Sequence, residues 1–75
     1  MHKVIPSGKK LTILEFGSGR GGLSRYIATK FKNEGILEKM ICVNIAENEN
    51  EYNASKAREE GLGEDIFEVQ HSSFD

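Results

Sequence analysis

The stretch Leu11-Thr12-Ile13-Leu14-Glu15-Phe16-Gly17-Ser18-Gly19-Arg20-Gly21-Gly22 decides the fold. Its first six residues form a short apolar run, introduced by the turn formers Pro6, Ser7 and Gly8. They read as a strand buried on both faces, as in a parallel sheet, with Lys9 and Lys10 as its solvated entry. The next six positions hold four of the eight glycines in the chain, a density that points to a site rather than to general flexibility. From Leu23 onward the apolar period changes. Leu23, Tyr26, Ile27 and Phe31 stand at i, i+3, i+4 and i+8, one face of a helix on which Tyr26 reads as core. Lys30 and Lys32 suit the negative pole of that helix, and Gly35 is its stop.

Working outward, Met40-Ile41-Cys42-Val43-Asn44-Ile45 is a second buried-type strand. A second helix is predicted from about Glu47 to Glu60, closed by Gly61, with Glu47, Glu49 and Glu51 complementing its positive pole. Its apolar stripe is weak, but Ala54, Ala57 and Gly61 let its backbone approach a sheet. Ile66-Phe67-Glu68-Val69-Gln70 is a third strand. The order is therefore β-α-β-α-β, an α/β class. Right-handed crossovers place the strands in the spatial order 3-2-1, half of a Rossmann-like doubly wound parallel sheet. The first strand would then be a bare apolar edge, which soluble proteins avoid. The sequence accordingly predicts the N-terminal fragment of a larger domain, residues 1–75, with its core over about 11–75.

Composition narrows the class. The chain has 75 residues, 37% of them hydrophobic and 29% charged, with a net charge of −2. No window nears the roughly 18 consecutive apolar residues of a membrane span. Mixed charge argues against wholesale disorder, and no basic face is dense enough to neutralise nucleic-acid phosphates. The single cysteine, Cys42, excludes an internal disulfide framework and fits a reducing interior. Met1 to Pro6 lack the apolar run of a secretory signal. A soluble, cytoplasmic location is expected.

The glycine bend follows a strand and opens a helix, the context in which a glycine fingerprint gains weight. Glycine lets a ligand approach the backbone with no Cβ in the way, and the free N–H groups of a helix start favour an anionic group. Gly17, Gly19 and Gly22 satisfy G-x-G-x-x-G, so a dinucleotide remains possible, as does a plain strand-to-helix turn. Two residues separate the ligands. Glu15 ends an otherwise apolar strand, where a carboxylate is costly without a use. It would repel a pyrophosphate and suit an ammonium or sulfonium group. Asn44 stands where a nicotinamide site generally carries an acid for the ribose, although an amide can also donate to and accept from hydroxyls. Together they favour S-adenosylmethionine.

Residues 14–22, Leu-Glu-Phe-Gly-Ser-Gly-Arg-Gly-Gly, resemble the first motif of class I S-adenosylmethionine-dependent methyltransferases. The stretch Asn44-Ile45-Ala46-Glu47-Asn48-Glu49-Asn50-Glu51-Tyr52-Asn53, followed by Glu60-Gly61-Leu62, is more selective. It is similar to the glycine, sarcosine and dimethylglycine N-methyltransferases, and Ser73-Phe74 resembles their segment after the third strand. The likeness covers about Leu11 to Asp75. It implies that the backbone of Gly17, Gly19 and Gly21 lines the aminocarboxypropyl arm of the cofactor, with Ser18 among the cofactor-binding residues. Glu15 would approach its ammonium group, Asn44 its ribose hydroxyls and Ile45 its adenine face, with Ser73 and Phe74 at the adenine edge. Asn44 departs from the superfamily's usual acid, and Glu49 would reach back to the ribose in its place. Ala46 replaces a capping serine, a change expected to weaken the second helix by about 1 kcal/mol. Ser72 stands where many methyltransferases bear an aspartate.

The remaining polar residues invite blander readings. Cys42 reads as a buried inert thiol, and His71 as a loop histidine rather than a general base. His2 lacks metal-ligand spacing to His71 or Cys42. Arg20 either clamps a carboxylate or points to water. The acids Glu47, Glu49, Glu51, Glu59 and Glu60 form a mostly solvated helix face. Methyl transfer to a neutral amine needs placement along one axis and exclusion of water more than acid–base help. No catalytic residue is assigned within these 75. The resemblance implies a small amine such as sarcosine or dimethylglycine as acceptor for the full-length protein. Two other readings stay open: an NAD(P)-binding oxidoreductase module, and a non-catalytic methyltransferase-like subunit. Oligomeric state is not encoded in any feature of the sequence.

Overall fold

Gly8 turns the chain back on itself. At φ 68, followed by Lys9 at negative φ, it makes a two-residue hairpin of the II′ pattern, which requires glycine first. The hairpin joins β1 (His2–Ser7) to β2 (Lys10–Phe16) in antiparallel register, with Val4 opposite Ile13 and His2 opposite Glu15. The computed structural model describes residues 2–72. Beyond β2 come α1 (Gly22–Asn33), β3 (Leu37–Asn44), α2 (Glu47–Glu59) and β4 (Phe67–His71). The sheet runs β1-β2-β3-β4, with β2, β3 and β4 mutually parallel.

The elements read from residues 11–16, 40–45 and 66–70 are thus β2, β3 and β4, but β1 went unread. Pro6 and Ser7 are strand, not lead-in. Proline is tolerated there because β1 is an edge strand and its missing N–H costs no ladder bond in the sheet interior. The expected bare edge on residues 11–16 is therefore corrected: β1 pairs along the length of β2.

Both helices pack on one face of the sheet. Ile13, Met40, Cys42 and Phe67 project to that side and form the core with Ala28 of α1, Ala57 of α2, Leu37 and Leu62. On the other face Leu14, Phe16, Ile41 and Val43 are only half-buried. Within β2 Ile13 alone is buried, so the expectation of a strand covered on both faces does not hold.

The apolar stripe of α1 is also displaced. Its buried residues are Ser24, Arg25 and Ala28, while Ile27 and Phe31 pack partly against the core. Leu23 and Tyr26 are 68% and 66% exposed, so Tyr26 is not core. Small and polar side chains thus take the fully buried positions of α1. Both helices close alike, with Ile36 N–H on Phe31 O at 3.0 Å and Leu62 N–H on Ala57 O at 2.8 Å, the six-to-one bonds of a Schellman end.

Candidate functional site

The ends of β2 and β3 come together at the glycine bend. The N–H of Gly17 donates to Val43 O at 2.8 Å, which carries the parallel ladder one residue past β2 and pins the start of the bend to β3. Gly21 N–H then donates to Ser18 O at 2.9 Å, closing the turn, and Arg25 N–H donates to Gly21 O at 2.8 Å as the first bond of α1. Gly17, Gly19 and Gly21 all have positive φ, at 72, 58 and 77. No side chain caps the start of α1 and its first turn holds no acid. The positive pole of the helix thus opens onto the bend without a capping side chain of its own.

Space around the three glycines differs. A Cβ on Gly17 would meet nothing within 4 Å, and one on Gly19 would meet only Glu49 Oε2, at 4.0 Å. Those two positions are open to a ligand. Gly21 is closed: a Cβ there would fall inside the side-chain amide of Asn53 on α2. Its lack of a side chain serves the packing of α2 against the bend.

Asn44 ends β3 and is buried. Its Nδ2 donates to Glu49 Oε1 at 3.2 Å, and its backbone carbonyl accepts from Asn50 Nδ2 at 2.9 Å and from Ser72 N–H at 3.0 Å. The polar residue at the strand end and the acid from the next helix thus stand together beside Gly19. Ile45, the following residue, is 54% exposed and offers an apolar surface at the same strand end. Ala46 is the N-cap of α2, in extended geometry and with no side-chain bond to the helix.

Glu15 is half-buried and stands in register beside Cys42 on the helix-facing side, directly below the bend. Burial pushes the Cys42 thiol up from its ordinary value; the polar side chains of Ser24 and Asn53 act against this, and the Glu15 charge adds to it. The buried Ser18 hydroxyl also acts against this rise in the thiol, although no bond of full hydrogen-bonding geometry reaches it among the described residues. Ser73 and Phe74 lie outside the described residues. His71 is the last residue of β4 and exposed, opposite Asn44 in register. Among the described residues no three of His, Cys, Asp and Glu gather to hold a metal ion.

Sequence reading overlooked Arg25. It is 8% exposed and reaches from α1 under the bend. Its Nη1 donates to the carbonyl of Arg20 and, at 2.8 Å, to Asn53 Oδ1, while Nε pairs with Glu60 at 3.2 Å. Arg20 lies over the Tyr52 ring, 5.2 Å from its centroid, and Arg25 and Lys56 approach the same ring at 5.8 and 5.7 Å. Arg20 therefore has a ring beneath it rather than water alone. The spacing Asn50, Asn53, Ala57 was the available signal: at i, i+3, i+7 it is the one face of α2 free of formal charge.

Fold and bend together define an α/β unit similar to the S-adenosylmethionine-dependent methyltransferases. No family model matches the chain. Over 63 residues, 84% of its length, it is 38% identical to the glycine/sarcosine/dimethylglycine N-methyltransferase of Actinopolyspora halophila. A crystal structure of a protein described as a sarcosine dimethylglycine methyltransferase, from Galdieria sulphuraria, matches 80% of the chain with a TM-score of 0.65 and 32% identity. The resemblance read from residues 14–22 and 44–62 is borne out. The matches take in 10% of the curated relative and 20% of the solved chain, so this chain spans a small part of either.

Proposed function

We infer that residues 1–75 bind S-adenosylmethionine, as the cofactor-binding portion of a cytoplasmic methyltransferase acting on a small amine such as sarcosine or dimethylglycine. The observation that carries this reading is the Asn44–Glu49 pair beside Gly19. An amide and a carboxylate 3.2 Å apart at a strand end offer both a donor and acceptors, the set that a vicinal diol requires. The open backbone at Gly17 and Gly19 fits a ligand lying along the bend.

In this reading Asn44 and Glu49 hold the ribose and Ile45 covers one adenine face. The bend and the start of α1 receive the carboxylate of the amino-acid arm, and Glu15 draws its ammonium group. Ser73 and Phe74 would border the adenine. When bound, the cofactor supplies an electrophilic methyl group on a cationic sulfur; the chain's own residues bind it and orient it.

Calorimetric titration of the protein with S-adenosylmethionine and, separately, with NAD tests the reading. Binding of the methyl donor with no response to NAD is the expected result. Tight NAD binding without response to S-adenosylmethionine would replace it with an oxidoreductase module. Assay of the full-length gene product with small amines separates an enzyme from a subunit that binds cofactor without turnover.

A further inference from the structure

We propose that Arg25 and Asn53 form a clamp that sets the shape of the glycine bend from behind, so that affinity for the cofactor depends on two residues that do not face it. The proposal rests on the cofactor reading above for its ligand, but its geometry stands on the fold alone. Asn53 is fully buried on α2, and its amide occupies the volume beside Gly21 that any side chain at that position would need. Its Oδ1 accepts from Arg25 Nη1 at 2.8 Å. The same nitrogen donates to the carbonyl of Arg20, inside the bend. One guanidinium therefore ties the loop backbone to α2, and the amide it holds abuts the loop two residues away from Gly19.

The fork of a guanidinium is what makes this possible. Its two Nη1 hydrogens diverge in a fixed plane, so both acceptors are held at a set angle while Nε engages Glu60 at 3.2 Å. A lysine carries the charge but not the planar array. The Asn53 side chain also acts on the buried Cys42 thiol, and its oxygen is the atom that holds Arg25. Glu49 stands one turn before Asn53 on the same helix, which places the ligand-facing carboxylate and the clamp on one rigid rod. Neither Arg25 nor Asn53 is a catalytic residue; both are positioning residues.

Two measurements on the protein test the clamp. Amide NMR shifts of Gly19 and Gly21 report the bend without ligand, and calorimetry with S-adenosylmethionine reports affinity. Arg25→Lys should stay folded by circular dichroism, displace both glycine signals and weaken binding about tenfold or more, the scale of a lost hydrogen bond to a charged group. Asn53→Asp keeps an acceptor for Arg25 and should leave both glycine signals near their wild-type positions, with affinity within about threefold. Should Arg25→Lys fail to fold, Asn53→Leu, which removes the acceptor but not the bulk, should give the displaced signals and the weaker binding.

A folded Arg25→Lys protein with unmoved glycine signals and unchanged affinity overturns the clamp and leaves the cofactor reading intact. A merely structural role gives that pattern too, with only a lower melting temperature. Wild-type protein that ignores S-adenosylmethionine, while Arg25→Lys still displaces the loop signals, overturns the cofactor reading and the affinity half of this proposal.

Discussion

Gly21 and Asn53 share one volume: the side-chain amide of the second stands where a Cβ on the first would be. Gly21 is also at φ 77, a conformation that L residues resist by roughly 1–2 kcal/mol. Backbone and packing thus demand glycine independently.

Gly21→Ala should therefore destabilise the protein by about 2–5 kcal/mol, summing the backbone strain with the overpacking of a filled site. Gly22→Ala is the control, because a Cβ there meets nothing and its φ is not positive. Urea melts of the two should separate clearly. Equal melts would show that neither the backbone strain nor the overlap with Asn53 is felt.

Glu49→Ala removes a carboxylate that accepts from Asn44 and lies 4.0 Å from the space over Gly19. The part-buried hydrogen bond is worth about 1 kcal/mol, so stability falls little. Affinity for S-adenosylmethionine should fall about tenfold by titration. Glu15→Ala should likewise weaken binding with little loss of fold. An unchanged affinity in either variant would remove that residue from the ligand's surroundings.

Ala46→Ser restores an oxygen at a position already in capping geometry, with φ −83 and ψ 109. Its hydroxyl can accept from an N–H of the first turn of α2, which should raise stability by about 0.5–1 kcal/mol. Paired thermal melts measure it, and no gain would mean that the first turn is satisfied some other way.

The Cys42 thiol should be inert in the folded protein and should make stability fall in alkali. Burial holds its folded-state pKa above the ordinary value of 9.0, so the group favours folding fully below that pH. As pH rises past 9 the unfolded chain ionises first, and the contribution fades until the folded pKa is passed. Cys42→Ala should flatten this alkaline slope, as urea melts at successive pH values would show, and a thiol reagent should modify native protein slowly.

The parallel strands and both helices were legible because each is written in period and punctuation: apolar runs of strand length, Gly35 and Gly61 at the helix ends, acids at the start of α2. The hairpin was not. His2, Lys3 and Pro6 break the apolar alternation of β1, and an edge strand needs little of it, because only Val4 and its neighbours on one face meet the core side. The stripe on α1 misled for a related reason. Leu23 and Tyr26 keep helical spacing with Ile27 and Phe31, yet the face turned to β3 and α2 carries Ser24, Arg25 and Ala28. Within the candidate site, the glycines, Asn44 and Glu49 announced themselves by type and spacing. Arg25 did not, since a buried cation is recognisable only once its acceptors on α2 and in the bend are in place.

Because Glu49 and Asn53 sit one turn apart on α2, the acid beside Gly19 and the amide behind Gly21 are geared to a single shaft. On the proposed cofactor reading, exchanging Asn44 alone to retarget the segment would leave α2 in its present seat, with Asn53 still against Gly21. A redesign for a different ligand would have to transplant β3, α2 and the glycine stretch as one cassette.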